Sequence, residues 1–344
     1  MPALISFDEA LGLQPERARR TILLGNGFSI ACRPEIFTYG ALFDRADFDA
    51  LDEKVRAAFD VLGSRDFEHV MRSLQTASRL ATVYAPADPE LSTTLSEHAE
   101  ALRDVLVRAI ATSHPEHPFQ IEADEYTSAR TFLSHFNRIY SLSYDLLLYW
   151  TAMQEMEPAL AFDDGFRTPD DGPAEYVTWE VEKTDTQNAF YLHGALHLFD
   201  AGHEIKKFTW ANTGVRLIEQ VRDALEENLF PLIVSEGEAE QKLDRINHSN
   251  YLARGYRSFA KIGHALYTFG VAFSDNDDHL LHLVRKNRRL AVLAIGIYGD
   301  PNTPENRRMI EKIENLNNNR SERNRLLIRY FDAETARAWN RGRA

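Results

Sequence analysis

Residues 21–29 read TILLGNGFS, an apolar run that ends in a Gly-x-Gly-x-Ser turn close to the N-terminus. This order is typical of the first strand and turn of a nucleotide-binding α/β domain. In such domains the buried strand ends at the edge of the sheet, and the glycines let backbone N–H groups approach a pyrophosphate. The pattern predicts a ligand-binding turn made of Gly25, Asn26, Gly27, Phe28 and Ser29.

The turn by itself is not decisive. It lacks the third glycine of Gly-x-Gly-x-x-Gly, and no Gly-Lys-Ser/Thr follows it, so it is neither a complete dinucleotide fingerprint nor a Walker loop. A tight strand-to-helix turn without a ligand would have the same residues. Asn26 and Ser29 can hydrogen-bond a ribose or a phosphate, and they can equally cap a helix.

Composition excludes several classes of protein. The chain has 344 residues and a net charge of -13, which argues against direct nucleic-acid binding through a basic surface. Cys32 is the single cysteine, which excludes an intrachain disulfide and a cysteine-based zinc site and fits a reducing compartment. No apolar run is long enough for a membrane span, and residues 1–8 do not resemble a signal peptide. We therefore expect a cytoplasmic protein with no membrane partner.

Apolar runs along the chain predict a series of strands. The strong candidates span 20–25, 138–143, 189–193, 265–271 and 290–297, with short strands at 176–179 and 232–234 and an edge strand at 325–330. Near-continuous apolar strands that alternate with helices indicate a mostly parallel sheet with helices on both faces. The fold class predicted is α/β and Rossmann-like. The turn-rich segment 163–173 is predicted to be exposed.

A long helical segment interrupts this alternation after the first strand. Between about residues 44 and 113 apolar residues recur at helical spacing, as in Phe67, Val70, Met71 and Leu74. This predicts a Rossmann-like domain made of residues 1–43 and 114–344, with a helical insertion subdomain at 44–113. The insertion can serve as a lid or as an assembly surface, and the sequence leaves a homo-oligomer or a partner protein open.

Polar residues follow four of the predicted strands. Because ligands bind outside the carboxyl ends of strands in such sheets, these residues are predicted to converge. The segments are Gly25–Ser29, Ser143-Tyr144-Asp145, His193-Gly194 and the stretch from Gly270 to Ser274 and Asp275. Each has a plain structural alternative: Asp145 can cap a helix, and a lone His193 can be a core histidine.

A second polar group follows the Gly270 segment. Asp277, Asp278, His279 and His282 could be imagined as a metal cluster, but acids at the start of a helix favour a solvated first turn. We expect no metal site there.

In this order the motifs resemble those of the sirtuin-like superfamily, and more closely its bacterial branch that lacks a zinc module. That branch typically carries Gly-Ala/Asn-Gly-x-Ser, Thr-x-Asn-Tyr-Asp, Leu-His-Gly and Gly-Tyr-Ser-x-x-Asp. This chain has GNGFS at 25–29, LSYD at 142–145, LHG at 192–194 and GVAFSD at 270–275. Pro34, just after the first turn, also matches, and the resemblance spans roughly residues 20–300.

The resemblance implies a Rossmann-like fold that binds NAD or ADP-ribose without zinc. Zinc-free bacterial relatives often hydrolyse NAD and release nicotinamide, and several act in defence against phage. By position, the resemblance makes His193 the catalytic base, with Ser143 and Asp145 as its catalytic neighbours. It further implies cofactor contacts from Gly25 to Ser29, Tyr144, Gly194, Gly270, Ser274 and Asp275.

Two departures keep other functions open. Ser143 stands where the branch has Asn, and Ala272 stands where it often has Ser. Serine is shorter than asparagine and lacks an amide donor, so turnover can be weakened or lost. The alternatives are an NAD glycohydrolase and a catalytically weakened or inactive nucleotide-binding sensor or scaffold. Protein deacylation is the least favoured of the candidate functions, because the chain lacks the cysteines of a zinc module.

Overall fold

The computed structural model describes residues 2–14, 18–49, 51–169, 176–209, 216–235 and 239–340. Its strands, in chain order, are β1 (Arg20–Leu24), β2 (Arg138–Ser141), β3 (Phe166–Arg167), β4 (Tyr176–Trp179), β5 (Ala189–Tyr191), β6 (Leu198–Asp200), β7 (Ile205–Phe208), β8 (His264–Phe269), β9 (Leu290–Ile297) and β10 (Leu327–Asp332). Its α-helices, in chain order, are α1 (Phe7–Leu11), α2 (Gly27–Cys32), α3 (Pro34–Phe37), α4 (Tyr39–Arg45), α5 (Glu53–Leu62), α6 (Phe67–Tyr84), α7 (Pro89–Ser113), α8 (Ala123–Ser134), α9 (Leu147–Met153), α10 (Leu217–Glu226), α11 (Ala239–His248), α12 (Asn250–Phe259), α13 (Asp278–Lys286) and α14 (Pro304–Asn318).

The main sheet has six parallel strands in the order β10-β9-β8-β1-β2-β5. The chain winds outward from β1 in both directions, through β2 and β5 on one side and through β8, β9 and β10 on the other. This confirms the predicted Rossmann-like α/β fold. The order reverses beside β1, and a crevice forms at the carboxyl edge of such a sheet where the order reverses.

Alternate residues of the strands pack into two separate cores. Ile22 and Leu24 of β1 belong to the larger core, whereas Leu23 belongs to the smaller one. Because successive side chains of a strand point to opposite faces, the two cores lie on the two faces of the sheet. Both faces are therefore covered, which is why the strands are apolar throughout.

Helices α5, α6 and α7 occupy the residues predicted to form the helical insertion. The hairpin of α6 and α7 is tied together by Ser78, whose hydroxyl donates to the carbonyl of Ser92 at 2.7 Å. Phe59 and Phe67 of the insertion share the larger core with Ile22 of β1. The insertion therefore packs into the core of the sheet domain, and the division into subdomains stays a prediction.

A second sheet was not predicted. It has four antiparallel strands in the order β3-β4-β7-β6. The predicted short strand at 176–179 exists as β4 but belongs to this sheet. The expectation of a strand at 232–234 was wrong, since the segment makes only an isolated bridge between Ile233 and Gly194.

The expectation that residues 163–173 are exposed was also wrong in part. Phe166 lies in β3 and is buried, and Asp164 is buried because its carboxylate pairs with the ammonium of Lys207 at 2.5 Å. Residues 170–173 of this prediction lie outside the described residues. Across the described part of the chain, no helix combines the length and the apolar character that a bilayer span needs.

Candidate functional site

A cavity of about 1140 Å³ opens at the carboxyl edge of the main sheet. One wall consists of the segments that follow β1, β2, β5, β8 and β9, including Gly25, Ser143, His193, Gly270 and Tyr298. The facing wall comes from the helices between β1 and β2, among them Tyr39, Glu68, Leu106 and Ile110. Four strand ends predicted to converge therefore line one cavity, and the helical insertion closes it from the other side.

The glycine-rich turn packs against the end of β8. The N–H groups of Gly25 and Gly27 donate to the carbonyls of Phe269 and Gly270, each at 3.0 Å. The N–H groups of Phe28 and Ser29 donate to carbonyls within the turn at 3.0 Å. Backbone carbonyls thus already accept from both glycine N–H groups, and the predicted contact of this turn with a pyrophosphate stays a prediction.

Ser29, Ser143 and Asp145 form a buried hydrogen-bonded group. The hydroxyls of both serines donate to Oδ2 of Asp145, that of Ser143 at 2.5 Å, and the two hydroxyl oxygens lie 3.1 Å apart. Oδ1 of Asp145 accepts from the N–H of Leu147 at 2.8 Å, so this side chain also caps α9. The structure thus brings the predicted Ser143 and Asp145 together, with both hydroxyls bonded to one carboxylate.

His193 follows β5 and lies at the floor of the cavity, with 2% of its surface exposed. Burial lowers the pKa of His193 well below its usual value, and the charge of Lys242 and the neighbouring His279 act in the same direction. The imidazole is therefore neutral near pH 7. Its Nε2 lies 3.2 Å from Nε2 of His279 and 3.9 Å from Oδ1 of Asp277.

A buried charge cluster, defined here as Glu68, Lys242 and Asp277, lies beside His193. Nζ of Lys242 is 3.0 Å from Oε2 of Glu68 and 3.4 Å from Oδ1 of Asp277. The other oxygen of Glu68 accepts from the hydroxyl of Tyr144 at 2.9 Å, and Oε2 also accepts from the amide of Asn276 at 2.6 Å. The cluster therefore ties α6 of the insertion to α11 and to the start of α13.

Burial sets the protonation of the cluster. It raises the pKa of Glu68, with Lys242 acting against it and Asp277 adding to it. For Lys242, burial lowers the pKa but the two carboxylates outweigh it, so the pKa lies above its usual value and the ammonium stays charged. Two carboxylates face a single ammonium, and the cluster therefore has a formal excess of negative charge.

Sequence reasoning missed most of these groups. The expectation of a solvated turn at 277–282 was wrong for Asp277 and His279, since His279 is 4% exposed and faces His193, although Asp278 and His282 are exposed. Glu68 lies one residue after the start of α6, where Asp66 caps the helix by accepting from the N–H groups of Glu68 and His69. The helix cap at Asp66 can be predicted from the sequence, whereas the residues around Lys242 give no signal that it belongs to a site.

The remaining predicted residues divide into two groups. Asn26, Tyr144, Gly270 and Ser274 line the cavity together with Gly25 and Gly27. The following predicted residues are not among those that line it: Phe28, Ser29, Gly194 and Asp275. Their role as cofactor contacts stays a prediction.

Those residues have structural partners instead. Phe28 packs against Phe132, Phe269 and Trp339 in the larger core. Gly194 has φ +81, and a Cβ there would lie 1.7 Å from the carbonyl oxygen of Leu232. Only glycine therefore fits at this contact between the two backbone segments. Asp275 pairs with Lys312 at 2.8 Å on the surface.

The cavity extends along β9 to the end of the described chain. Tyr298, Asn306, Arg337 and Trp339 line this second end. The indole N–H of Trp339 is buried and has no hydrogen-bond partner among the described residues. Within the same residues, no group of three or more His, Cys, Asp or Glu side chains is arranged to hold a metal ion.

These features define the chain as a doubly wound α/β protein with a cleft at the carboxyl edge of its parallel sheet. The chain belongs to the family described as a domain of unknown function (DUF4917), whose model matches residues 22–339. That match begins within β1, extends past β10, and includes His193, Ser143 and the buried charge cluster. No curated protein matches the chain.

Proposed function

We propose that this protein binds NAD in the cleft and hydrolyses the bond between nicotinamide and ribose. The observation that carries the proposal is a neutral His193 at the floor of a cavity of about 1140 Å³, at the carboxyl edge of a parallel sheet. Ligand pockets of proteins commonly measure about 300–1,000 Å³, so the cavity has room for a dinucleotide. The sequence motifs around it resemble those of the zinc-free sirtuin-like branch.

The two ends of the cleft differ in chemistry, and each suits one half of NAD. The nicotinamide ribose is assigned to the end with His193 and Ser143, where polar side chains are buried. The adenine is assigned to the other end, where Tyr298 offers a ring and Trp339 an indole N–H without a partner. Since the N–H groups of Gly25 and Gly27 are occupied, the pyrophosphate needs other donors, and Arg337 lies at that side of the cavity.

The chemistry follows from the charges. Cleavage of the nicotinamide–ribose bond gives the ribose oxocarbenium character, and nicotinamide leaves as a neutral ring. A water oxygen then bonds to the anomeric carbon while a neutral imidazole takes its proton, which is general base catalysis. Formal negative charge on Glu68 and Asp277 favours a cationic transition state nearby.

A nucleotide-binding sensor or scaffold without turnover is the second candidate. The observation that favours it is Ser143, whose hydroxyl donates to Asp145 and so is already engaged. The sirtuin-like branch has an asparagine at this position, whose amide orients water or ribose. A protein of this second kind would bind NAD or ADP-ribose and leave it intact.

The test is chromatography of the purified protein incubated with NAD, with His193→Ala and Ser143→Asn as variants. His248→Ala is the matched control, because His248 is exposed and is not among the residues that line the cavity. Nicotinamide release by wild type and control that disappears in His193→Ala supports the hydrolase. Release only in Ser143→Asn, or a thermal shift without release, supports the sensor, since a ligand that binds only the folded state stabilises it.

Absence of both release and thermal shift in all of these proteins overturns the nucleotide proposal. A role in defence against phage is part of the same proposal and rests on the resemblance alone. Plaque formation on cells that carry wild type or His193→Ala tests it. Equal plaque numbers on both would contradict that role.

A further inference from the structure

His193 and His279 face each other through the same kind of ring nitrogen. Their Nε2 atoms lie 3.2 Å apart and their ring centroids 5.4 Å apart. Both residues are buried, with 2% of His193 and 4% of His279 exposed. Burial lowers the pKa of His279 to about 4, and burial also lowers that of His193, so both rings are neutral near pH 7. Two neutral imidazoles form such a bond only when one Nε2 carries a hydrogen and the other does not.

The proposed role of His193 decides which ring donates. His193 lines the cavity, and its Nδ1 has no hydrogen-bond partner among the described residues. The base role proposed for His193 requires an unprotonated nitrogen that faces the substrate, and this requirement makes Nδ1 the acceptor and places the hydrogen on Nε2. The Nε2–H of His193 then donates to Nε2 of His279.

We propose that His279 is a positioning residue for His193 and receives its Nε2 proton, so that the two buried imidazoles work as a proton relay. This inference rests on the proposed hydrolysis of NAD. It assigns to His279 a role in the reaction that the sequence motifs do not indicate.

The relay step is balanced. The attacking water forms a bond from its oxygen to the anomeric carbon and gives one proton to Nδ1 of His193. His193 passes its Nε2 proton to Nε2 of His279, and the bond between the ribose and nicotinamide breaks with its electron pair going to nicotinamide. His193 ends neutral as the other tautomer, and His279 ends as an imidazolium that carries the proton released by hydrolysis.

The imidazolium at His279 is a transient carrier of that proton, with one carboxylate beside it. Burial lowers the pKa of His279 most, the Asp277 carboxylate raises it, and the Lys242 ammonium lowers it further. Lys242 is itself paired with Glu68 and Asp277, which leaves one formal negative charge in the buried charge cluster. Tyr256 packs near the His279 ring and donates its hydroxyl to the His279 carbonyl at 3.1 Å, which holds the first turn of α13 in place.

The first measurement is the tautomer of His193 by ¹⁵N NMR of the imidazole nitrogens in ligand-free protein. We expect hydrogen on Nε2 and none on Nδ1 in the wild type. In His279→Phe the acceptor is lost and the Nδ1–H form should become populated, whereas His279→Gln, whose amide oxygen can accept, should keep the wild-type tautomer. Hydrogen on Nδ1 in the wild type, or no change in His279→Phe, overturns the assignment.

The second measurement is hydrolysis of NAD by the same variants, with melting curves to confirm folding. We expect kcat to fall about 10²-fold or more in His279→Phe, in the range of general acid–base effects, with KM changed little. His279→Gln should restore positioning but not the relay, so its rate should stay well below wild type. The dependence of kcat on the fraction of D₂O in the solvent gives the number of protons transferred in the transition state. We expect two protons for the wild type and one for His279→Gln.

The outcomes separate the two proposals. The relay is overturned if His279→Gln has the wild-type rate or if the wild type transfers only one proton in the transition state. Neither result contradicts the proposed hydrolysis of NAD. A wild-type protein that releases no nicotinamide overturns the hydrolase and the relay together. The tautomer measurement needs no substrate and still decides whether His279 positions His193.

Discussion

Gly27 and Gly270 touch through their backbones, where the turn after β1 crosses the end of β8. The Gly27 N–H donates to the Gly270 carbonyl at 3.0 Å, and a Cβ on Gly27 would lie 2.3 Å from the Cα of Gly270. Gly270 also has φ +65, a conformation that side chains disfavour. The glycines of the most recognisable motif in the chain are therefore required by contact between two turns, and this contact holds the cavity wall in shape.

Gly270→Ala should destabilise the protein strongly. The positive φ alone costs roughly 1–2 kcal/mol for an L-residue, and the added Cβ would lie 2.4 Å from the Cα of Gly27, so the backbone must also move. Urea unfolding followed by circular dichroism should show a loss of about 3 kcal/mol or more, or no folded protein.

Gly40→Ala is the matched control for this prediction. Gly40 is the second residue of α4, and a Cβ there would meet nothing within 4 Å. Alanine should keep the free energy of unfolding or raise it by up to about 0.5–1 kcal/mol, because glycine is less favourable than alanine in a helix. Similar losses at positions 40 and 270 would contradict the role of the turn contact.

Lys242→Met should destabilise the protein, and more so at alkaline than at acidic pH. The variant leaves Glu68 and Asp277 buried without their ammonium, and loss of one partner of a buried ion pair typically costs about 3–5 kcal/mol. The pKa of Glu68 is raised in the folded state, so the stability linked to its protonated form is present at low pH and is lost as pH rises.

The measurement is the difference in free energy of unfolding between wild type and Lys242→Met at pH 5 and at pH 8. We expect the larger difference at pH 8. Lys261→Met, at an exposed lysine, controls for loss of charge and should change stability little at either pH. A pH-independent difference would mean that Glu68 does not depend on Lys242 for its charge.

The sequence predicts the fold and the position of the cleft but only part of the site. The strand β1 is predictable because Ile22, Leu23 and Leu24 form an unbroken apolar run. The convergence of Ser143 and His193 is predictable because the carboxyl ends of parallel strands share one edge of the sheet. These inferences need only local pattern and the rules of parallel sheets.

The missed parts depend on contacts between distant residues. Glu68 and Lys242 are 174 positions apart, and each lies on a helix whose local pattern indicates only an amphipathic helix. His279 follows Asp277 and Asp278, and those acids point to solvent exposure when read locally. The antiparallel sheet was missed because strands of two to four residues are too short to show an alternating pattern.

His197→Phe should make the protein less sensitive to acid. The His197 ring is fully buried between Tyr149 and Tyr191, and its two nitrogens have no hydrogen-bond partner among the described residues. Burial lowers the pKa of His197 well below its usual value, and the charge of Lys207 adds to this. A depressed histidine pKa contributes stability above its unfolded value of about 6.5 that is lost as pH falls toward the folded value.

The slope of unfolding free energy against pH checks this prediction below pH 6.5. His197→Phe should reduce the slope by up to about 1.4 kcal/mol per pH unit, which corresponds to one proton. The free energy of unfolding at pH 8 should change little, since phenylalanine fills nearly the same space. His248→Phe, at an exposed histidine, should keep the wild-type slope, and a slope unchanged in His197→Phe would refute the prediction.

Trp339 should report ligand binding through its fluorescence. Its indole is 7% exposed, lines the second end of the cavity and has a buried N–H without a partner in the described chain. A nucleotide in the cleft would bring new atoms against this ring and an acceptor to its N–H. Titration with NAD should therefore change the tryptophan emission of the wild type in a saturable way.

Trp339→Phe should remove the saturable change and weaken NAD binding, measured by calorimetry, by about 10-fold, the equivalent of one hydrogen bond of about 1.4 kcal/mol. Trp179→Phe is the control, because Trp179 lies in β4 of the second sheet and is not among the cavity-lining residues. It should keep both the signal and the affinity. A saturable change that survives in Trp339→Phe but not in Trp179→Phe would place the ligand at the second sheet, away from the cleft and from His193.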